Sequence, residues 1–216
     1  RSSMAIFPHL AARLLVEDLS IEELAGNLAR ATSDSAEQAA QGLGGYSIIL
    51  TNSYSSAVKE ALLRRYRTGG PLNVIVAESR PGLEGVSLAR ELAAEGIDVT
   101  VITDAQVGVS MREVDAVLVG CDAITEDNEL QNKAGTSLIV LAANSAGVPC
   151  FAVTQTFKIM PPGFPHILEE QEPDAVGRYE GLRFRNVIFD LTPLELFRTV
   201  YTENGALDLD MLSAVR

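Results

Sequence analysis

The chain has 216 residues, 47% of them hydrophobic and 21% charged, and a formal net charge of −12, enough for one domain, or one domain with a small appendage, around a full core. The excess of acid excludes nucleic acid as a direct partner, because phosphate binding needs a concentrated basic surface. No apolar run approaches the roughly eighteen residues of a membrane span, and no signal pattern precedes the first helix, so neither a membrane nor export is expected. Two cysteines, Cys121 and Cys150, fall in strand-like segments, which predicts a reducing cytoplasm and no structural disulfide. The chain begins at Arg1 rather than Met, and further residues are expected upstream.

In chain order, residues 1–45 read as a helical subdomain. Ser2 or Ser3 caps a helix through Val16. Ser20-Ile21-Glu22-Glu23 has capping-box spacing and opens a helix to about Ala31. Ser33 or Ser35 restarts one that Gly42, Gly44 and Gly45 end. From Tyr46 to residue 216 strand and helix alternate. Strands are predicted at Ser47–Thr51, Asn73–Ala77, Asp98–Thr103, Ala116–Gly120, Cys150–Thr154 and Val187–Asp190. Helices are predicted at Ser55–Arg67, Gly85–Glu95, Thr136–Ala146 and Pro193–Val200. The strands are short, β-branched and nearly continuous in apolar character, as when helices cover both faces of a parallel sheet. The fold class is therefore α/β, a doubly wound and mostly parallel sheet. The segment Phe157–Arg183, with Pro161, Pro162, Gly163, Pro165 and Pro173, reads as an irregular surface excursion in which His166 is exposed.

Ligands of such sheets bind beyond the carboxyl ends of the strands. Those ends read Thr51-Asn52-Ser53, Glu78-Ser79-Arg80, Thr103-Asp104, Gly120-Cys121-Asp122, Thr154-Gln155 and Asp190, and every one is polar. Asp122 at a strand end, facing Asn132 and Lys133 at the start of a long apolar helix, is what a small polyhydroxylated anion requires, because a helix start favours negative charge. Local roles compete at each position. Asp122 also suits a turn, Lys133 a solvated helix end, Arg80 a pair with Glu78 or Glu84, Asp104 a cap for the next helical turn, and Ser53 a loop hydroxyl. No G-x-G-x-x-G follows the first strand and no G-x-x-x-x-G-K-[ST] occurs, which disfavours nicotinamide dehydrogenases and excludes a P-loop. G-x-S-x-G is absent too, and two histidines with two separated cysteines make no zinc site. No cofactor or metal is expected.

Read together, Ile49-Leu50-Thr51-Asn52-Ser53-Tyr54-Ser55, Glu78-Ser79-Arg80-Pro81 with Glu84-Gly85, Gly96-Ile97-Asp98-Val99-Thr100, Gly120-Cys121-Asp122-Ala123-Ile124, Asn132-Lys133-Ala134-Gly135-Thr136, Phe189-Asp190-Leu191-Thr192-Pro193 and Thr202-Glu203 resemble one family. It unites the alpha, beta and delta subunits of translation initiation factor 2B with the isomerases of methylthioribose 1-phosphate and ribose 1,5-bisphosphate. Arg1 to Pro8 faintly resembles its Arg-Pro-Thr segment. The resemblance implies a Rossmann-like sheet behind a short helical subdomain, a phosphosugar pocket at the strand ends, and dimerisation through the α/β domain. In the isomerases an aspartate matching Asp122 and a cysteine matching Ser53 form the acid/base pair, and residues matching Asn132 and Lys133 hold substrate. Arg1, Arg80 and Glu84 complete the substrate-binding set that the resemblance implies.

Ser53 stands where the enzymes carry a thiol, and Asn-Ser-Tyr-Ser is closer to the initiation-factor subunits than to the enzymes' His-Cys-Asn. Cys121, beside Asp122, is a candidate replacement thiol, though a small buried hydrophobe is the plainer reading. The expected function is binding of a sugar phosphate or nucleotide in a regulatory role with lost or weak isomerase chemistry. The alternative is an aldose–ketose isomerase on a phosphorylated pentose. A homodimer or higher oligomer and a translation-factor partner are the expected protein partners.

Overall fold

The computed structural model describes residues 20–161, 163 and 170–207; the expected Ser2–Val16 helix, Arg1 and His166 lie outside them. Seven strands form the main sheet: β1 (Ile48–Asn52), β2 (Asn73–Ala77), β3 (Asp98–Ile102), β4 (Ala116–Val119), β7 (Cys150–Val153), β9 (Thr199–Thr202) and β10 (Gly205–Ala206). Their spatial order is β10-β9-β7-β4-β1-β2-β3, all parallel except β10. After β1 the chain winds outward through β2 and β3, then crosses to the other side of β1 for β4, β7 and β9. The order reverses between β1 and β4, and a crevice opens at their carboxyl ends where the connections diverge.

Alternation along each strand accounts for the continuous apolar runs. Ile49, Val74, Val76, Leu118, Phe151 and Val153 pack on one face with the helices α1 (Ile21–Gly42), α2 (Ser56–Arg67) and α3 (Glu84–Ala94). Leu50, Ile75, Val117, Val119 and Ala152 pack on the other with α4 (Val107–Ser110) and α5 (Thr136–Ala146). Successive side chains point to opposite faces, so a strand covered on both must be apolar throughout.

α1 starts at the expected capping box: the Ser20 hydroxyl accepts the Glu23 N–H at 3.2 Å, and Glu23 accepts the Ser20 N–H at 2.9 Å. It does not break near Ala31. Thr32 and Ser35 turn their hydroxyls back onto the carbonyls of Leu28 and Thr32, at 2.9 and 3.0 Å. Inside the helix these residues therefore satisfy themselves rather than cap a new one.

Two further expectations are corrected. Pro193–Val200 is not a helix: a single 3-10 turn, Leu194–Leu196, leads into β9, where β-branched Thr199 and Val200 extend the sheet beside β7. The last expected strand is shifted to β8 (Phe189–Pro193) and belongs to a separate antiparallel sheet, ordered β5-β6-β8 with β5 (Ala123–Ile124) and β6 (Glu129–Lys133). That sheet rises directly from the tip of β4. Among the described residues, no helix is long and apolar enough to cross a membrane, and no group of three or more His, Cys, Asp or Glu side chains is placed to hold a metal ion.

Candidate functional site

The tips of β1, β2 and β3 are tied to one another by side chain–backbone hydrogen bonds. Asp104, just past β3, accepts the N–H groups of Ser79 and Arg80 at 2.8 and 2.7 Å. It does not cap the following turn, where Thr103 N–H instead donates to Gln106 Oε1 at 3.3 Å. The Ser79 hydroxyl in turn accepts the Ser53 N–H at 2.7 Å. Ser53 and Ser79 both hold left-handed backbone, with φ of 59° and 61°, a conformation costly for residues other than glycine unless the surroundings enforce it. Asp104 supplies that enforcement at Ser79.

Beside this latch, Asp122 follows β4. Gly120 permits the close approach of α2: a β-carbon there would lie 2.8 Å from that of Ser55. Asp122 and Ser53 border two adjoining cavities. The first, about 240 Å³, is lined by Asn52, Ser53, Ser55, Ser56, Gly120, Asp122, Asn132 and Lys158 among others. Ser55 caps α2 by accepting the Val58 N–H at 3.4 Å, so the first turn of α2 opens onto this cavity and favours negative charge there. The second, about 290 Å³, is lined by Ser53, Tyr54, Glu84, Asp122, Lys133, Gln171, Ile188 and Phe189.

Asn132 and Lys133 do not open a helix as expected. They are consecutive residues of β6 and so face opposite sides; Asn132 reaches the first cavity and Lys133 the second. The true helix start is not an open anion site. Asp190 on β8 reaches across to accept the N–H groups of Gly135 and Ser137 at 2.7 and 3.1 Å. Burial pushes the Asp190 carboxyl up to about 6, against the pull of those two bonds.

Lys133 is buried and paired with Glu84, Nζ to Oε1 at 2.8 Å, while Glu84 Oε2 is buried without a partner. Glu84 thus pairs with Lys133 and not with Arg80. The Arg80 side chain borders a third depression with Arg185 and Asn186, apart from Asp122. Cys121 is buried among the apolar side chains under β4, its thiol donating to the Ala123 carbonyl at 3.2 Å, and burial pushes it up to about 12. It is a core side chain that stays protonated at neutral pH.

Sequence reasoning passed over Lys158. It ends the 3-10 turn after β7, donates to the Cys121 carbonyl at 2.7 Å and lines the first cavity. Its position three residues past the Thr154-Gln155 strand end was the available signal. Thr136, the last residue of the Asn132–Thr136 motif, takes the first position of α5. It bonds both Asn52 and Asn132.

Similarity to known proteins follows the same architecture. Over 206 residues the chain is 36% identical to an eIF-2B subunit 2-like translation initiation factor of Pyrococcus furiosus, covering 94% of this chain and 73% of that protein. A ribose 1,5-bisphosphate isomerase of Methanocaldococcus jannaschii is 38% identical over 164 residues, which cover 73% of this chain and 53% of the isomerase. The chain therefore spans about half to three quarters of the length of these relatives. Among solved structures, the translation initiation factor eIF-2B of Pyrococcus horikoshii superposes with a TM-score of 0.85 at 34% identity, over 95% of this chain and 76% of that one. The 5-methylthioribose 1-phosphate isomerase of the same organism gives a TM-score of 0.76 at 25% identity, over 87% of this chain and 60% of that one. The sequence profile of the initiation factor 2 subunit family matches residues 16–209, and the chain belongs to that family.

Proposed function

We propose that this chain binds a phosphorylated pentose or a nucleotide in the crevice between the tips of β1 and β4, in a regulatory or binding role with lost or weak isomerase chemistry. The supporting observation is the company Asp122 keeps. Ser53 borders the same two cavities, and both thiols of the chain are buried. Moving a carbonyl from C1 to C2 needs two positioned groups that deliver and remove protons, and a hydroxyl is a poor acid at neutral pH. Lys158 and the first turn of α2 draw the phosphate, while Asp122 and Asn132 face the sugar.

Calorimetric titration with ribose 5-phosphate, ribose 1,5-bisphosphate and adenosine monophosphate tests this reading. Binding of at least one is expected, with little or no ketose formed. Silence toward all three up to about 10 mM removes the proposal. Ser53→Cys is expected to raise turnover of ribose 1,5-bisphosphate about tenfold or more, because it restores a thiol opposite Asp122.

The second reading, an aldose–ketose isomerase with Asp122 and Ser53 as its acid/base pair, draws on their shared cavities. It requires turnover of ribose 1,5-bisphosphate or methylthioribose 1-phosphate by the unmodified chain that vanishes in Asp122→Asn. A homodimer belongs to the same proposal. Val109 on α4 and Leu138 and Leu141 on α5, helices on the same face of the sheet, are exposed, apolar side chains of the kind found at protein contacts. Sedimentation of a monomer at micromolar concentration would count against a dimer. The regulatory role further implies a partner in translation, which co-purification from the source cells would test.

A further inference from the structure

Ser56 and Lys158 each border two cavities. Besides the first, of about 240 Å³, they line a larger one of about 550 Å³ between α1, the start of α2 and the 3-10 turn Thr156–Lys158. Small-molecule sites run from roughly 300 to 1,000 Å³. The first cavity alone falls short of that range, and the adjoining space brings the pair within it.

The larger cavity is apolar at Leu28 and Ala29 of α1 and at Phe157 of the 3-10 turn. Its wall also holds one buried polar side chain, Gln155, which is 2% exposed. Gln155 Nε2 donates to Ser35 Oγ at 3.0 Å, and Ser35 donates its own proton to the Thr32 carbonyl at 3.0 Å. Ser35 can therefore only accept from the glutamine, and the carboxamide is held in one sense. Its Oε1 has no donor among the described residues and, unlike Asn52 Oδ1, is not sealed from the surface. An apolar and aromatic wall beside a fixed carboxamide suits a nucleobase, which has flat apolar faces and a polar edge.

The order of these parts sets the order of the ligand. Asp122 lines the first cavity and not the larger one, Lys158 and the first turn of α2 stand where the two adjoin, and Phe157 lies on the far side. With the sugar at Asp122 and the phosphate at Lys158, a base in the larger cavity is joined to that sugar through phosphate. A nucleoside monophosphate has its sugar in the middle and does not match this order.

We propose that the larger cavity is a nucleoside compartment and that the site takes a ribose carried on a nucleoside diphosphate. The terminal ribose faces Asp122, the pyrophosphate lies at Lys158 and the start of α2, and the base sits among Leu28, Ala29, Gln155 and Phe157. The inference rests on the phosphosugar reading above and names its ligand class.

The experiment is calorimetric titration of ADP-ribose, ribose 5-phosphate and adenosine monophosphate into the wild-type chain, Ala29→Trp and Phe157→Ala, with thermal melting of each. Wild type is expected to bind ADP-ribose about tenfold or more tighter than either fragment, because each fragment leaves one compartment empty. Ala29 and Phe157 border the larger cavity and neither of the two that Asp122 lines. Ala29→Trp fills that space and should bring ADP-ribose to within about threefold of ribose 5-phosphate; Phe157→Ala should weaken ADP-ribose by about fivefold or more. Affinity for ribose 5-phosphate should stay the same in both. If Ala29→Trp fails to fold, Phe157→Ala decides.

Ribose 5-phosphate binding with ADP-ribose no tighter overturns the nucleoside compartment and leaves the phosphosugar reading in place. Silence toward all three compounds removes both. Adenosine monophosphate as tight as ADP-ribose overturns the assigned order, and a preference for ADP-ribose that both variants retain overturns the assigned place. A groove occupied by another part of the chain would show as a lower melting temperature in Ala29→Trp with unchanged affinities, which also overturns the proposal.

Discussion

The two cavities that share Asp122 and Ser53 are similar in size, about 240 and 290 Å³, yet each holds its lysine in a different state. In one, Lys133 is paired with the carboxylate of Glu84. In the other, Lys158 spends one hydrogen bond on the carbonyl of Cys121, which carries no net charge. A cation bonded to a carboxylate has less left for an incoming anion than one bonded to a neutral carbonyl, although Asp122 also borders the cavity of Lys158. Under the proposed function the phosphate is therefore expected in the cavity beside β1 and β4, although the sequence drew attention to Lys133.

Exchanging the lysines tests this contrast most directly. Lys158→Ala is expected to weaken ribose 5-phosphate binding by about 10- to 100-fold, the worth of a charge-assisted hydrogen bond. Lys133→Ala should change affinity by less than about threefold and instead lower stability in urea denaturation, because it strands a partly buried carboxylate. The reverse pattern would break the comparison.

A second, smaller effect concerns Asp190, which anchors the start of α5. Its carboxyl is pushed up to about 6 in the fold, against roughly 3.9 in an unfolded chain. A raised acid favours the folded state while protonated, so its contribution is full below about pH 4 and is lost as pH rises through 6. Asp190→Asn keeps an oxygen for the two N–H groups and removes the titration. Relative to this variant, wild type should lose on the order of 2 kcal/mol of stability between pH 4 and 7, read from urea midpoints across that range. Parallel curves would show that Asp190 is ionised at no cost.

The smallest effect is expected at Ser53, the residue common to both cavities. Its φ of 59° suits glycine, so Ser53→Gly should stabilise the chain by up to about 1 kcal/mol in thermal melting. The gain should come with weaker ligand binding, since the loop loses its enforced geometry. Stabilisation without any loss of affinity would mean that the strained backbone does not serve the site.

Legibility differed just as sharply between the two sheets. Five strands of the main sheet could be read to within one residue, because continuous β-branched runs such as Asn73–Ala77 and Ala116–Val119 admit little else. Of the small sheet only β8 was legible, and that with a shift: β6 reads Glu-Leu-Gln-Asn-Lys, polar enough to pass for a helix entry. Its strand character comes from pairing with β8, which is distant along the chain: Glu129 pairs with Pro193 and Lys133 with Phe189. Thr199 and Val200, by local pattern the end of a helix, are strand because β7 supplies their partner.

By itself the sequence determined the α/β alternation, the polar strand tips and the placement of Asp122 at the end of β4, since apolar periodicity and strand length are local properties. Which face Asn132 and Lys133 take, which lysine pairs with a carboxylate, and which way the Asn52 carboxamide points were decided only by tertiary structure. Each depends on a partner distant along the chain, in Asp190, Glu84 or Thr136, and pairing over that distance leaves no trace in local pattern.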